Sequence, residues 1–191
     1  NEEATLPKVI GNIKKVMDAA KSKHGYKILV VDDGSTDNTA KAAKEAGAAV
    51  YSHPKNYGLA ETFNTEVEKA LEMNAEIIVH IDADSQYQPE EIPKLIKEIS
   101  NGYDLVLGSR FKGKIEGMPT IKRLGNMAFS KVISNISKLK ISDAQTGFRA
   151  FTREVAERVN ITSNHTYTQE QIIRAVKEKF RIKEVPIYFA K

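Results

Sequence analysis

Ile77-Ile78-Val79-His80-Ile81-Asp82-Ala83-Asp84 is a short run of aliphatic, mostly β-branched residues that stops abruptly at two carboxylates. A continuous apolar run of this length predicts a strand, Ile77 to Ile81, that is covered on both faces of a sheet. The chain leaves the sheet directly afterwards, and Asp82 and Asp84, at alternate positions of extended backbone, point the same way. Tyr26 to Val31 is a second run of the same kind and breaks at Asp32-Asp33-Gly34-Ser35, while Ala48 to Ser52 and Leu105 to Leu107 read as further strands. Helical spacings separate them. Leu6, Val9, Ile10, Ile13, Val16, Met17 and Ala20 share one helix face, as do Leu59, Phe63, Val67, Ala70 and Leu71. Ser35 or Thr36 is placed to cap a helix that Gly47 ends, and Pro89 to open one that carries Ile92, Leu95, Ile96 and Ile99 and stops at Gly102. Strands alternating with helices predict an α/β fold on a mostly parallel sheet flanked by helices. In such sheets ligands sit at the carboxyl ends of strands, where the acidic clusters of this chain fall.

Further along, a Gly- and Lys-rich loop is expected at Lys112 to Gly117, a helix from Ile121 to about Ser137, and a loop at Asp143 to Gly147. A short strand at Phe148 to Phe151, a helix at Thr168 to Lys179 and a final strand at Ile182 to Phe189 complete the chain, with room for antiparallel pairing in this last part. The helix from Ile121 has an apolar stripe of Leu124, Met127, Val132, Ile133 and Ile136 with Lys122, Arg123, Lys131 and Lys138 around it. Packing on the core explains such a stripe, and so does contact with an anionic membrane surface.

With 191 residues the chain is sized for one domain. Hydrophobic residues at 41% and charged residues at 28% exclude a disordered chain, and a net charge of +4 is too small for a dedicated nucleic-acid binder. The absence of Cys excludes disulfides, thiolate metal sites and a Cys nucleophile. No apolar run is long enough to span a membrane, and no signal peptide is recognisable. The first residue is Asn1 rather than Met, which points to a segment upstream.

Asp82 and Asp84, with Gln86 two residues on, offer the oxygen ligands that Mg²⁺ or Mn²⁺ requires beside substrate phosphates. A strand-end turn with solvated carboxylates has the same residues, and Asp32-Asp33-Gly34-Ser35 equally fits a turn that leads into a helix. His80 is expected in the core rather than as a ligand. His53 and His165 fall in loops without matching metal-ligand partners, so zinc is not expected.

Taken in order, Asn1-Glu2-Glu3, Val31-Asp32-Asp33-Gly34-Ser35-Thr36-Asp37-Asn38-Thr39, Asp82-Ala83-Asp84-Ser85-Gln86, Gly108-Ser109-Arg110-Phe111 and Asp143-Ala144-Gln145-Thr146-Gly147-Phe148-Arg149-Ala150-Phe151 resemble the motifs of family 2 glycosyltransferases. The likeness is strongest to the branch of dolichol-phosphate mannosyltransferase and other polyprenyl-phosphate enzymes, and it extends over nearly the whole chain. It implies a single GT-A domain over residues 1–191, with a nucleotide-binding half to about 109 and an acceptor-side half from about 110. It implies that Asp33 with Asp32 contacts the nucleobase or ribose side of a nucleotide-sugar donor, and that Asp82, Asp84 and Gln86 hold Mg²⁺ or Mn²⁺ against its diphosphate. Arg110, Arg123 and Arg149 match arginines associated with the diphosphate and with the acceptor's phosphate, to which a guanidinium fork is suited. The implied reaction is inverting transfer of a sugar to a polyprenyl phosphate at the cytoplasmic face of a membrane. A hydroxyl acceptor is the alternative and requires a general base, for which Asp143 and Glu170 are the candidates. A non-catalytic nucleotide-binding remnant is the third possibility. The chain departs from the pattern in two places. Asn56-Tyr57-Gly58 is followed by Leu59-Ala60 and lacks the usual Lys, and the strand that precedes Asn1 in relatives is missing, which leaves a raw edge or gap in the sheet.

Overall fold

The computed structural model describes residues 1–20 and 25–190. In chain order the elements are α1 (Leu6–Ala19), β1 (Leu29–Asp32), α2 (Thr39–Glu45), β2 (Ala49–Ser52), α3 (Leu59–Glu72), β3 (Ile77–His80), a 3₁₀ turn (Pro89–Glu91), α4 (Ile92–Ser100), β4 (Leu105–Ile115), α5 (Thr120–Ser137), β5 (Arg149–Thr152), α6 (Arg153–Arg158), α7 (Thr168–Lys177) and β6 (Ile182–Phe189). The strands form two sheets. β1 and β2 pair in parallel, and the other four run in the order β3-β5-β4-β6.

The larger sheet is mixed, not mostly parallel. β5 runs antiparallel to both β3 and β4, and only β4 and β6 are parallel. The reason lies in the loop before β5. The Arg110 amide donates to the Asp143 carboxylate at 3.0 Å and the Gly108 amide to the Phe148 carbonyl at 2.8 Å, so the chain is pinned beside the far part of β4 before β5 begins. From there it can only run back along the strands. No ladder joins the two sheets among the described residues, so β1 and β3 each keep one unpaired edge.

Alternation sorts the core. Leu105, Leu107, Phe151 and Ile78 point to the face covered by α3, α6 and α7, where they meet Phe63, Val155 and Ile172. Val106 and Ala150 point the other way, onto Leu95 and Ile99 of α4 and Ile13 and Met17 of α1. α1 also reaches the small sheet, with Leu6 and Ile10 against Ala43, Ala48 and Val30.

The stretch expected as a loop, Lys112 to Gly117, continues β4 as far as Ile115. A break in register between Ser109 and Lys114 lets Lys114 and Ile115 pair with Tyr188 and Phe189. α2 begins at Thr39 rather than beside Ser35, because Asp37 accepts from the amide and hydroxyl of Thr39 and closes the first turn itself. No helix among the described residues is long and apolar enough to cross a membrane.

Candidate functional site

Three acidic segments meet at the carboxyl ends of β1 and β3. Asn1 accepts from the Thr36 amide at 2.9 Å, Glu2 donates its amide to the Thr39 hydroxyl at 2.7 Å, and Glu3 accepts from the Asn38 amide at 2.8 Å. The start of the chain is thus tied to the turn after β1. Gly34 in that turn has φ +71°, and a Cβ there would lie 2.4 Å from the backbone of Lys55, so the turn admits only glycine.

Asp33 is occupied within the protein. Its carboxylate accepts from the amides of Tyr57 at 2.8 Å and Gly58 at 2.9 Å and contacts His53 Nδ1 at 2.7 Å. Burial pushes this carboxyl up, but the two amides and the imidazole outweigh it and hold it below the usual value. Asp33 therefore clamps the loop that enters α3. His53, in the loop after β2, is buried between Asp33 and the Thr65 hydroxyl. Asp32 is also buried and accepts from the Ser35 amide.

Asp82 and Asp84 follow β3 in contrasting environments. His80, on the same side of the strand, places Nε2 3.4 Å from Asp82 Oδ1 and Nδ1 2.7 Å from Glu66 Oε2 of α3. Burial alone would lower the His80 pKa, yet Glu66 and Asp82 together raise it to about 10. Burial pushes Asp82 up in turn, but His80, with help from the Arg149 and Arg110 guanidiniums, brings it below the usual carboxylate value. On its other side Asp82 abuts Gly147, where a Cβ would stand 2.6 Å from Oδ2. Among the described residues no cation is a main influence on Asp84. Burial and the charges of Asp82 and Glu2 push its carboxyl up against the pull of the Gln86 amide.

The arginines split between interior and surface. Arg110 and Asp143 form a bidentate pair, Nε to Oδ2 at 2.7 Å and Nη2 to Oδ1 at 2.8 Å, and Asp143 is 0% exposed. The carboxylate expected as a general base is thus consumed by a guanidinium. Arg149, expected to meet phosphate, is fully buried. Its Nη1 donates to the Thr168 carbonyl and to Gln171, its Nη2 to the Thr146 carbonyl, and it lies over the Tyr167 ring. No N–H of Arg149 reaches the surface, so it organises the Thr146-Gly147 turn from beneath. Arg123 is exposed in the first turn of α5 and free to meet an anion. Glu170, the second candidate base, accepts from the amides of Thr162 and Ser163 and from Arg174, and so holds the loop before α7. His165 is exposed in that loop.

Glu184 was not anticipated. It is buried on β6, accepts from the amides of Ser142 and Asp143 at 2.9 Å each, and meets Lys112 Nζ at 2.9 Å. An acidic residue inside a strand that is apolar apart from Lys183 was the available signal. Glu66 gave none, because a Glu on a helix reads as solvated.

Among the described residues no three His, Cys, Asp or Glu side chains gather into a metal cage. Two strand-end carboxylates, one of them pushed up by its acidic neighbours, nevertheless suit a hard cation that takes its remaining oxygens from a substrate diphosphate. Surface concavities of about 350 Å³ and 330 Å³ lie elsewhere, around Arg153 and around Lys14.

α5 is turned inside out. Asn126, Ser130, Ile133 and Ser137 face inward, where the Ser130 hydroxyl accepts from the Ala144 amide and the Ser134 hydroxyl from the Ile141 amide. Ile121, Leu124, Phe129, Val132 and Ile136 are each more than half exposed. Of the stripe read from the sequence, only Ile133 packs inward.

The model of the family described as "Glycosyl transferase family 2" matches residues 1–159. The chain is 34% identical over 189 residues to the dolichyl-phosphate hexose transferase of Haloferax volcanii, an alignment that covers 98% of this chain and 78% of that protein. It is 32% identical over 199 residues to the dolichol-phosphate mannosyltransferase of Pyrococcus furiosus, covering 99% of this chain and 54% of that protein. Among solved structures, it superposes with a TM-score of 0.74 at 23% identity on glucosyl-3-phosphoglycerate synthase from Mycobacterium tuberculosis in complex with Mn²⁺, UDP and phosphoglyceric acid. That superposition covers 97% of this chain and 65% of the crystallised one, a likeness of fold, and the fold is GT-A.

Proposed function

The chain belongs to glycosyl transferase family 2, and from that membership we propose that it transfers a sugar, with inversion, from a nucleoside diphosphate sugar to a polyprenyl phosphate. Relatives whose names carry dolichyl phosphate support the acceptor, and the fold neighbour crystallised with Mn²⁺ and UDP supports the donor. The observation that carries the choice of acceptor is the state of the two candidate bases. Asp143 is locked in a bidentate pair with Arg110, and Glu170 is saturated by a loop and Arg174. A hydroxyl nucleophile needs a free base within hydrogen-bond reach. A phosphate monoester, with a second pKa near 6, is already a nucleophile at neutral pH.

In this reading Asp82, Asp84 and Gln86 hold Mg²⁺ or Mn²⁺, which when bound supplies Lewis-acid stabilisation of the departing diphosphate. Asp82 arrives ionised and fixed between His80 and Gly147. Asp33 keeps the turn after β1 and the loop at Tyr57-Gly58 in one wall beside the donor's nucleoside. Arg123, exposed on α5, takes the acceptor's phosphate. The phosphate oxygen attacks the anomeric carbon as the bond to the diphosphate breaks, so no proton has to be removed. The lipid brings this chemistry to a membrane surface. The outward apolar face of α5, with Lys122, Lys131 and Lys138 beside it, supports that placement, because such a helix lies in the interface of an anionic bilayer.

The test is to incubate the chain with Mn²⁺ and a panel of nucleotide sugars, with and without polyprenyl phosphate, and to measure released nucleoside diphosphate. Release that depends on both the lipid and the metal is expected. Equal release without lipid, or activity that survives Asp84→Ala, overturns the proposal.

A further inference from the structure

β3 directs Ile77, Val79 and Ile81 toward α1 and α4, and Ile78 and His80 toward α3. Asp82 continues the second series, so His80 and Asp82 are neighbours on one side of extended backbone. The His80 ring sits edge-on to Phe63 at 5.7 Å and to Tyr167 at 5.2 Å, and those two rings stack on each other at 3.8 Å. Its Nδ1 is bonded to Glu66, which makes no other hydrogen bond among the described residues. Its Nε2 is buried without a hydrogen-bond partner, and the acceptor it faces is Asp82 Oδ1.

From this geometry we infer that Glu66 and His80 are a positioning pair that aims the Asp82 carboxylate at the divalent cation. The inference rests on the metal reading of Asp82 and Asp84 given above. Stability does not account for the pair, since apolar side chains of similar volume inside the Phe63 and Tyr167 surroundings would cost nothing and spare the desolvation of the charges. Orientation does. A carboxylate on a strand end rotates about two bonds, and here Oδ1 lies 3.4 Å from the His80 ring while Oδ2 lies 2.6 Å from where a Cβ of Gly147 would stand, so ring and backbone narrow its rotation from two sides. Partners that hold a metal ligand in this way generally matter about 10- to 100-fold in metal affinity. Glu66 belongs to the arrangement because its bond fixes the ring so that Nε2 faces Asp82.

The experiment titrates the chain with Mn²⁺ alone, followed by electron paramagnetic resonance, and compares the parent with Glu66→Leu/His80→Phe, Glu66→Gln and Asp84→Asn. The double variant removes all the charge of the pair without stranding a partner. It should unfold at the parent's temperature or above, bind Mn²⁺ about 10- to 100-fold more weakly, and recover its kcat at saturating Mn²⁺ while its KM for the metal rises. A general structural defect would not recover in that way. Glu66→Gln, which keeps an acceptor for the ring, should show a smaller loss of the same kind and decides the matter if the double variant does not fold. Folded variants that bind Mn²⁺ as tightly as the parent, while Asp84→Asn does not bind, overturn the positioning pair alone. A parent that fails to bind Mn²⁺ overturns the metal reading and the pair with it.

Discussion

Asp143→Asn separates a catalytic carboxylate from a structural one. Asp143 is wholly buried and receives both Nε and Nη2 of Arg110 at 2.7 and 2.8 Å, together with the Arg110 amide at 3.0 Å. Asparagine has the same shape and keeps one carbonyl acceptor, but it presents an amide to a guanidinium and leaves that charge buried without its partner. Breaking a buried pair from one side costs about 3–5 kcal/mol, and the retained acceptor places this case near the lower figure. For a domain of this size each kcal/mol moves the melting temperature by about 2–4 °C, so a fall of about 6–12 °C is expected. Turnover measured well below the melting range should stay within about tenfold of the parent (ΔΔG‡ about 1.4 kcal/mol), because the side chain is wholly buried against Arg110. Asp143→Leu combined with Arg110→Met should regain most of the lost stability, since neither charge is then stranded. Scanning calorimetry and donor-release kinetics on the same preparations decide. An unchanged melting temperature with turnover reduced a hundredfold or more would make Asp143 a base and refute the structural assignment.

Gly147→Ala places a methyl group 2.6 Å from Asp82 Oδ2 and must displace that carboxylate. Mn²⁺-dependent turnover should fall more than tenfold, about 1.4 kcal/mol in barrier, and an unchanged Mn²⁺ titration would count against the vise around Asp82. Leu124→Glu/Val132→Glu on the exposed face of α5 should abolish co-sedimentation with vesicles rich in anionic lipid while leaving the melting curve in place, and a large drop in melting temperature would mean that the face is covered by protein instead. Asp33 has a folded pKa below its ordinary 3.8, so its contribution to stability is complete above that value and is lost as pH falls through the lower folded value. Asp33→Asn should be less stable at neutral pH and should lack this part of the acid-unfolding limb, and limbs of equal slope in the two proteins would remove Asp33 from the account. Asp82→Asn should lower the melting temperature in the absence of metal, because it takes a counterion from His80 and Arg149, whereas Asp84→Asn should leave it unchanged or higher by relieving repulsion from Asp82 and Glu2. Equal melting shifts in the two variants would contradict that asymmetry.

Local pattern carried the elements and the carboxyl-edge location of the site. Ile77 to His80 and Leu105 to Leu107 are strands because branched apolar runs bounded by polar turns have few other solutions. What pattern does not carry is direction and partnership. The sequence around Phe148 to Phe151 fits a strand of either sense, and its antiparallel course follows from Asp143 being anchored on Arg110, a contact between residues 33 positions apart. For the same reason the arginines of the motifs looked alike, though Arg149 is sealed under Tyr167 and Arg123 is open to solvent. α5 shows the limit of amphipathicity itself: the stripe was legible, but which side of it met the protein was decided by Ser130 and Ser134 holding the loop at Ile141 to Ala144.

Beneath the strand ends lie Glu66, His80, Asp82, Arg110, Asp143 and Arg149. Three are acidic, and with His80 protonated three are cationic, so the group is neutral as a whole. Such a set is expensive to bury, and evenly matched charges add little net stability. It sets cations beside Asp82, whereas among the described residues the charges that act most on Asp84 are those of Asp82 and Glu2. The two aspartates are therefore not equivalent. Asp82 supplies a fixed direction, and Asp84 supplies the unbalanced charge that draws a cation to the edge where the donor diphosphate would arrive. The buried charges beside Asp82 that look superfluous for folding are what make the pair unequal.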